Sequence, residues 1–324
     1  LFEAAAVLEE ILPIAEKSVD RDRILGIRHR LAGINILLGR SDEALAHLGI
    51  VADIAPDSAD RFLALLDAGK ILTIYKGNAK DGKRRYEQAL DTARSLKDRG
   101  KTAKALLYLA DHPDTDTMAY LDEALVISEG GDIDTRAEIV GRAIYHSRLL
   151  GQPEGIADLL TEAHSLVERV EDTVRLKLSD QLANYYFYQG DYNKTIEITE
   201  RDLAFTKESN RWLKHIDYLR TLGGCYYVKG LYTKMIELLK EGVFLGSRFN
   251  DSRSILINTS NILLAYIKTA QYGEAIEQAA RIAGHEDYTS FSRQAPHITQ
   301  KIACLLYTSP SPRDRTRSRM PSSA

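Results

Sequence analysis

The 324-residue chain is poor in the residues on which several protein classes depend. It has two cysteines, Cys225 and Cys304, and eight prolines. So few thiols cannot build a disulfide framework or a cysteine zinc site, and they are typical of proteins in a reducing cytoplasm. No apolar run reaches the roughly 18–20 residues that cross a bilayer. The sequence therefore predicts a cytoplasmic protein without a membrane partner.

Signatures of catalysis and of metal binding are also missing. The eight histidines are scattered, and no His-Glu-x-x-His occurs. Zinc sites and nucleophile sets need such groups at defined spacings or in defined clusters. The sequence therefore predicts no catalytic residue, no cofactor, no metal and no enzyme.

One stretch is an apparent exception. The segment YKGNAKDGKRRYEQAL, residues 75–90, places Gly77, Gly82 and Lys83 at the spacing of a phosphate-binding loop. That loop needs Ser or Thr after the lysine to ligate Mg²⁺, whereas this chain has Arg84. The preceding ILTIY would have to be a strand for the loop to face a phosphate.

The end of the chain differs sharply from the rest. Residues 304–324, CLLYTSPSPRDRTRSRMPSSA, would suit a basic nucleic-acid arm or a disordered terminus. Codons for these residues can also be chosen so that the DNA resembles the adapter of a transposase-based sequencing library. We expect a translated adapter that is disordered and not native. Without it the chain has 39 basic and 45 acidic residues, a net charge of −6 that argues against nucleic-acid binding.

The remainder favours helix and repeats itself. Ala, Leu, Ile, Glu, Lys and Arg dominate, and 44% of residues are hydrophobic. A pattern of helix, turn and helix recurs, with a turn residue at steps of 38, 35, 39, 39, 40 and 40. These turn residues are Gly39, Gly77, His112, Gly151, Gly190, Gly230 and Ala270. Such a period is the signature of a repeat architecture.

Residues around each turn explain the step. In Leu222-Gly223-x-x-Tyr226 a small residue lets the partner helix approach, and a tyrosine one turn later fills the groove. Met235-x-x-x-Leu239 supplies the inward stripe of the second helix. Gly77 then occupies a turn between paired helices, and ILTIY ends a first helix. The phosphate loop is thereby explained without a nucleotide.

With these slots the chain resembles the tetratricopeptide repeat family. The resemblance implies an all-α fold, a right-handed α-solenoid of about seven antiparallel helix pairs. It assigns residues 1–20 to the second helix of a truncated preceding repeat and residues 21–303 to the array. The period near 40 is similar to arrays behind the ATPase module of bacterial signalling proteins, such as maltose-activator-type regulators and ATPase-linked adenylate cyclases.

The resemblance also implies a function. We expect a non-catalytic interaction and regulatory module from a larger bacterial signalling protein, with a protein, a peptide or its own upstream domains as partner. The alternative is an effector sensor whose groove holds a small molecule or peptide. Groove positions carried over from the repeat pattern are Asp180, Asn184, Phe187, Tyr188, Arg220, Tyr227, Ser260 and Lys268.

Overall fold

A computed structural model describes residues 2–304 apart from 19, 57, 114, 152–154, 295, 297–299 and 301. Within these residues all regular secondary structure is helical. The α-helices are α1 (Phe2–Ser18), α2 (Arg21–Leu37), α3 (Ser41–Ile54), α4 (Ala59–Lys70), α5 (Ala79–Ser95), α6 (Arg99–Ala110), α7 (Thr117–Ser128), α8 (Ile133–Leu150), α9 (Ile156–Leu166), α10 (Asp172–Tyr188), α11 (Tyr192–Glu208), α12 (Trp212–Val228), α13 (Tyr232–Arg248), α14 (Ser252–Lys268), α15 (Tyr272–Ala283) and α16 (Tyr288–Gln294).

Consecutive helices pack as pairs, which confirms the predicted all-α repeat. The described residues contain seven pairs, from α2/α3 to α14/α15, and each pair brackets one of the seven predicted turns. In the α10/α11 pair the Thr195 hydroxyl of α11 donates to Ala183 O of α10 over 3.3 Å. The helices form two compact units, residues 1–181 and residues 182–324, and the division falls within α10. Even-numbered helices from α2 to α14 are called first helices below, and their partners second helices.

The turn inside a pair is a hydrogen-bonded left-handed cap. At Gly190 (φ 81°) the amide donates to Phe187 O over 3.1 Å, and the Asp191 amide donates to Tyr186 O over 2.9 Å. This is the Schellman arrangement, which needs a residue that tolerates positive φ. The predicted glycines Gly39, Gly77, Gly151 and Gly230 also have positive φ. Glycine therefore ends the first helix at a fixed place and turns the chain back.

Two of the seven turns depart from glycine in different ways. Ala270 adopts the same left-handed conformation (φ 57°), and its turn keeps the two hydrogen bonds. His112 is instead buried, and its Nε2 lies 2.8 Å from Ala79 O. The turn of the third pair is thus held by a histidine side chain rather than by a left-handed residue.

Small residues set the distance between packed helices. A Cβ on Gly69 of α4 would lie 2.4 Å from the Tyr86 ring, and one on Gly223 would lie 3.0 Å from Leu239. The predicted partnership of Gly223 with the second helix is confirmed. Tyr186, Tyr226 and Tyr266 are buried in their framework slots, as expected for packing residues.

The segment that mimics a phosphate loop is part of this framework. Residues Ile71–Tyr75 form a π-helical end to α4, not a strand. Gly77 follows with a φ of 63°, and Asn78 caps α5 by accepting a hydrogen bond from the Asp81 amide. Gly82 is a packing glycine, because a Cβ there would lie 2.1 Å from Thr73 Oγ1. Helix pairing accounts for both glycines.

Two further predictions concern the tail of the chain and its membrane-spanning potential. Residues 305–324 of the expected adapter tail lie outside them. Among the described helices, none carries an apolar stretch sufficient to cross a bilayer.

The packing at Gly69 yields a stability prediction. We expect Gly69→Ala to lower the free energy of unfolding by about 1–3 kcal/mol, because the buried Tyr86 ring occupies the space of the new methyl group. Gly26→Ala in α2 is the matched control. A Cβ at Gly26 would have no other atom within 4 Å, so this substitution should raise the free energy of unfolding by about 0.5–1 kcal/mol. Urea unfolding followed by circular dichroism measures both free energies. Equal stabilisation by the two substitutions would contradict the packing of Gly69 against Tyr86.

The left-handed turns yield a second prediction. Ala270→Gly should raise the free energy of unfolding by about 1 kcal/mol, because a Cβ is unfavourable at a φ of 57°. The reverse change at the equivalent turn, Gly230→Ala, should lower it by a similar amount. Fluorescence of Trp212, the only tryptophan of the chain, reports unfolding of residues 182–324 in urea. A loss of stability in Ala270→Gly would disprove the strain.

Candidate functional site

The predicted groove residues lie on first helices, but they differ in accessibility. Asn184 and Lys268 are exposed, Tyr188 is 65% exposed, and Phe187 and Tyr227 are half-buried. These five residues belong to the last turns of α10, α12 and α14 within residues 182–324. Asp180 is half-buried and belongs to the unit of residues 1–181.

The remaining two predicted residues are engaged within their own helices. Arg220 forms an ion pair with Asp217 over 2.7 Å and is partly buried. Ser260 is 3% exposed, and its hydroxyl donates to Leu256 O over 2.7 Å. A serine facing the packed side of α14 presents nothing to a partner, so we leave Ser260 out of the surface considered below.

Aromatic rings meet at the turns within the α10/α11 and α12/α13 pairs, in residues 182–324. The Phe187 ring lies edge-on to Tyr188 (5.7 Å between centroids) and to Tyr192 (5.4 Å). A Cβ on Gly224 of α12 would lie 3.7 Å from the Phe187 ring, so this glycine faces the neighbouring first helix. Tyr227 repeats the arrangement with Tyr232 at 5.7 Å. We call Asn184, Phe187, Tyr188, Tyr227 and Lys268 the aromatic face.

A polar cleft in residues 1–181 was not found from the sequence. Its volume is about 170 Å³, and its walls come from three successive first helices, α6, α8 and α10. The polar side chains of this cleft are Tyr108, Asp111, Glu138, Arg142, Lys177 and Gln181. Gly141 lets α10 approach α8 closely beside the cleft, because a Cβ there would lie 3.3 Å from Leu178 and 3.4 Å from Gln181.

Ion pairs cross the cleft from helix to helix. Asp111, which caps the C-terminal end of α6, lies 3.2 Å from both Arg142 Nη2 and His146 Nε2 of α8. Lys177 of α10 donates to Glu138 of α8 over 2.6 Å. Such partly exposed pairs contribute only about 0.2–1 kcal/mol each. A bound charged group could therefore replace one partner at little cost.

One buried polar atom in the cleft has no hydrogen-bond partner. It is the side-chain oxygen Oε1 of Gln181. Leaving such an acceptor unsatisfied costs about 1–3 kcal/mol, which a donor from a ligand would recover. The sequence signal was the spacing of Glu138, Arg142 and His146, four residues apart along one helix face. It was missed because the spacing alone does not show which residues of α6 and α10 lie opposite.

One of the two thiols lies within the helix packing. Cys225 is fully buried, and burial raises the pKa of its thiol to about 11. It is protonated near neutral pH and thus a poor nucleophile. Among the described residues no group of three or more His, Cys, Asp or Glu side chains could hold a metal ion.

The explained glycine loop gives a direct test. Lys83 belongs to α5 and follows a packing glycine, so no backbone cradle for phosphate surrounds it. We expect calorimetric titration with Mg-ATP to give the same absence of saturable binding for the original chain and for Lys83→Ala. Binding that disappears in Lys83→Ala would restore the nucleotide site.

No protein-family model matches the chain, and no curated protein matches it in sequence. Solved structures match its fold. A Signal Transduction ATPase with Numerous Domains that carries a tetratricopeptide repeat sensor, from Pyrococcus horikoshii, is 15% identical with a TM-score of 0.54 over 87% of this chain. This chain spans 46% of the length of that protein.

Two further solved structures match most of their own length. Aspartyl phosphate phosphatase F from Bacillus subtilis is 12% identical, with a TM-score of 0.55 over 91% of this chain and 82% of its own. A Rap protein complexed with Competence and Sporulation Factor is 14% identical, with a TM-score of 0.51 over 94% and 99%. At these identities the likeness concerns the fold alone. The chain has the fold of a tetratricopeptide-type helical-repeat array, as its turn spacing predicts.

Proposed function

We propose that the chain is a non-catalytic interaction and regulatory module that binds a protein or peptide segment along its first helices. The observation that carries the proposal is the cleft of residues 1–181, which only first helices line and which offers both signs of charge. The aromatic face of residues 182–324 adds rigid apolar area with polar tips. Both features lie on the same kind of helix, outside the slots that hold the pairs together.

The size of the cleft favours a peptide or protein over a small effector. Sites that enclose a small molecule usually measure about 300–1,000 Å³. A cleft of about 170 Å³ accommodates one side chain or a short polar stretch. The sensor hypothesis, with a small molecule held in the groove, has less support from this geometry.

The proposed setting is bacterial signalling in the cytoplasm. The repeat sensor of the signal-transduction ATPase and the Rap protein bound to Competence and Sporulation Factor share the fold. A chain that spans about half of the ATPase protein suits a module that works beside other domains. The acidic balance of residues 1–303 favours protein over nucleic acid as partner.

Peptides selected by display on the whole chain test this proposal. We expect Tyr188→Ala or Tyr227→Ala to weaken a selected peptide about ten-fold, because an aromatic anchor contributes about 1–2 kcal/mol. A peptide that docks in the cleft of residues 1–181 should show a similar loss with Lys177→Glu, which places a second carboxylate beside Glu138. Fluorescence anisotropy of the labelled peptide gives the dissociation constants.

The matched control is Phe244→Ala. Phe244 is 64% exposed but lies on the second helix α13, so its removal should leave the dissociation constant unchanged. Peptides that bind equally to all four variants would show that the first helices are not the binding face.

A further inference from the structure

A half-buried tryptophan stacks on an exposed phenylalanine at the turns between helix pairs. Trp212 begins α12, Phe249 follows α13, and their rings stack with centroids 6.0 Å apart and planes at 20°. Leu213 beside them is 63% exposed and Phe249 is 40% exposed. These residues line a hollow of about 530 Å³ together with Asn210, Arg211 and Lys214. We call this surface the tryptophan corner.

The repeat itself does not require aromatic residues here. The first residues of α10 and α14, which are equivalent to Trp212, are Asp172 and Ser252. The residue that caps α11, equivalent to Phe249, is Ser209. At the turns that join α3 to α4, α5 to α6, α7 to α8 and α9 to α10 these positions hold no aromatic residue, although some hold apolar ones such as Ile133 and Val167. The stacked rings are therefore particular to these two turns, where Trp212 packs on the core and part of the Phe249 ring stays exposed.

The tryptophan corner is fixed by packing on the helices beneath its rings and by hydrogen bonds of its turns. Trp212 packs against the buried residues Ile216, Leu219 and Leu245, and its ring lies edge-on to His215 at 5.8 Å. The polypeptide turns beside it are fixed by left-handed Asn210 and by hydrogen bonds such as Arg211 N to Thr206 O (2.9 Å). A platform that is ordered before binding loses little conformational entropy when a partner docks.

The charge around the corner is opposite to that of the chain. Residues 205–214 and 247–253 contain two carboxylates, those of Glu208 and Asp251, and five cations, whereas the chain has a net charge of −3. Glu241, which lies 3.7 Å from the buried His215 Nε2, adds a third carboxylate. The cations are Lys207, Arg211, Lys214, Arg248 and Arg253. The Arg248 guanidinium lies 6.0 Å from the centroid of the Phe249 ring.

We propose that the tryptophan corner is a second docking surface, for an acidic peptide segment that carries an aromatic or aliphatic side chain. The apolar side chain would fill the hollow beside Trp212 and Leu213, and acidic neighbours would meet the surrounding cations. Tryptophan and arginine are the residues most enriched at energetic centres of interfaces, and charge complementarity selects the partner. This surface lies at turns between pairs, whereas the aromatic face lies at turns within pairs.

The single tryptophan makes the test direct. Acetyl-Asp-Glu-Phe-Glu-Asp-amide is titrated against the whole chain while Trp212 fluorescence is recorded. We expect a saturable change whose half-saturation concentration rises several-fold when NaCl is raised from about 50 to about 300 mM. The same peptide with Lys and Arg in place of its acids, and an acidic peptide with Ala in place of Phe, should bind about ten-fold more weakly or not at all.

Substitutions distinguish binding at the tryptophan corner from binding at the aromatic face. Leu213→Ser and Arg248→Glu change exposed groups and should each weaken the labelled acidic peptide about ten-fold by anisotropy. Leu231→Ser, at an exposed apolar residue of the turn within the α12/α13 pair, is the matched control and should have no effect. Tyr188→Ala and Tyr227→Ala should also have none, so this proposal and the proposed function fail independently.

Several results would overturn the proposal. They are an unchanged Trp212 spectrum with the acidic peptide, equal binding of the basic or Ala peptide, and full binding by Leu213→Ser. Saturable binding of oligothymidylate without binding of the acidic peptide would assign the corner to nucleic acid instead. The circular dichroism spectrum of each variant confirms that a loss of binding is not a loss of fold.

Discussion

The left-handed cap that ends six of the seven described first helices is the constraint on which the array depends. Two backbone hydrogen bonds, such as Asp191 N to Tyr186 O, can form only where the intervening residue accepts positive φ. The cap fixes the length of the first helix and sends the second helix back along it. Small residues such as Gly223 then let the two backbones approach. Once these conditions recur every forty residues, the stacking of pairs follows from burial of their apolar stripes.

Because caps and small residues determine the fold, residues at other positions can vary without disturbing it. Tyr186, Tyr226 and Tyr266 fill one slot in three successive pairs and are buried in all of them. Slots outside the framework show no such regularity, since Trp212 takes a position that Asp172 and Ser252 fill elsewhere. Surface chemistry in this chain is therefore concentrated at a few non-framework positions, where packing imposes no choice.

The surfaces so produced differ in character. The cleft of residues 1–181 is polar and already internally paired, so it suits an occupant that exchanges ion pairs and hydrogen bonds. The aromatic face and the tryptophan corner of residues 182–324 offer rings with cations nearby. A regulatory module with several distinct surfaces can contact a partner and its own neighbouring domains at the same time, which is the role proposed for this array.

The spacing of residues alone determined the helical class, the seven turns and the packing role of the tyrosines. A helix cap and a small-residue slot depend only on residues that are close in the sequence, so one short stretch is enough to identify them. Ala270 was identified at its turn for the same reason. Accessibility was decided only in three dimensions: Ser260 shares the register of Arg220 yet faces the packed side of its helix. The cleft and the tryptophan corner also required the tertiary structure. Their members, such as Asp111 and Arg142 or Trp212 and Phe249, come from different helices, and no periodicity within one helix reports which residues of another lie opposite.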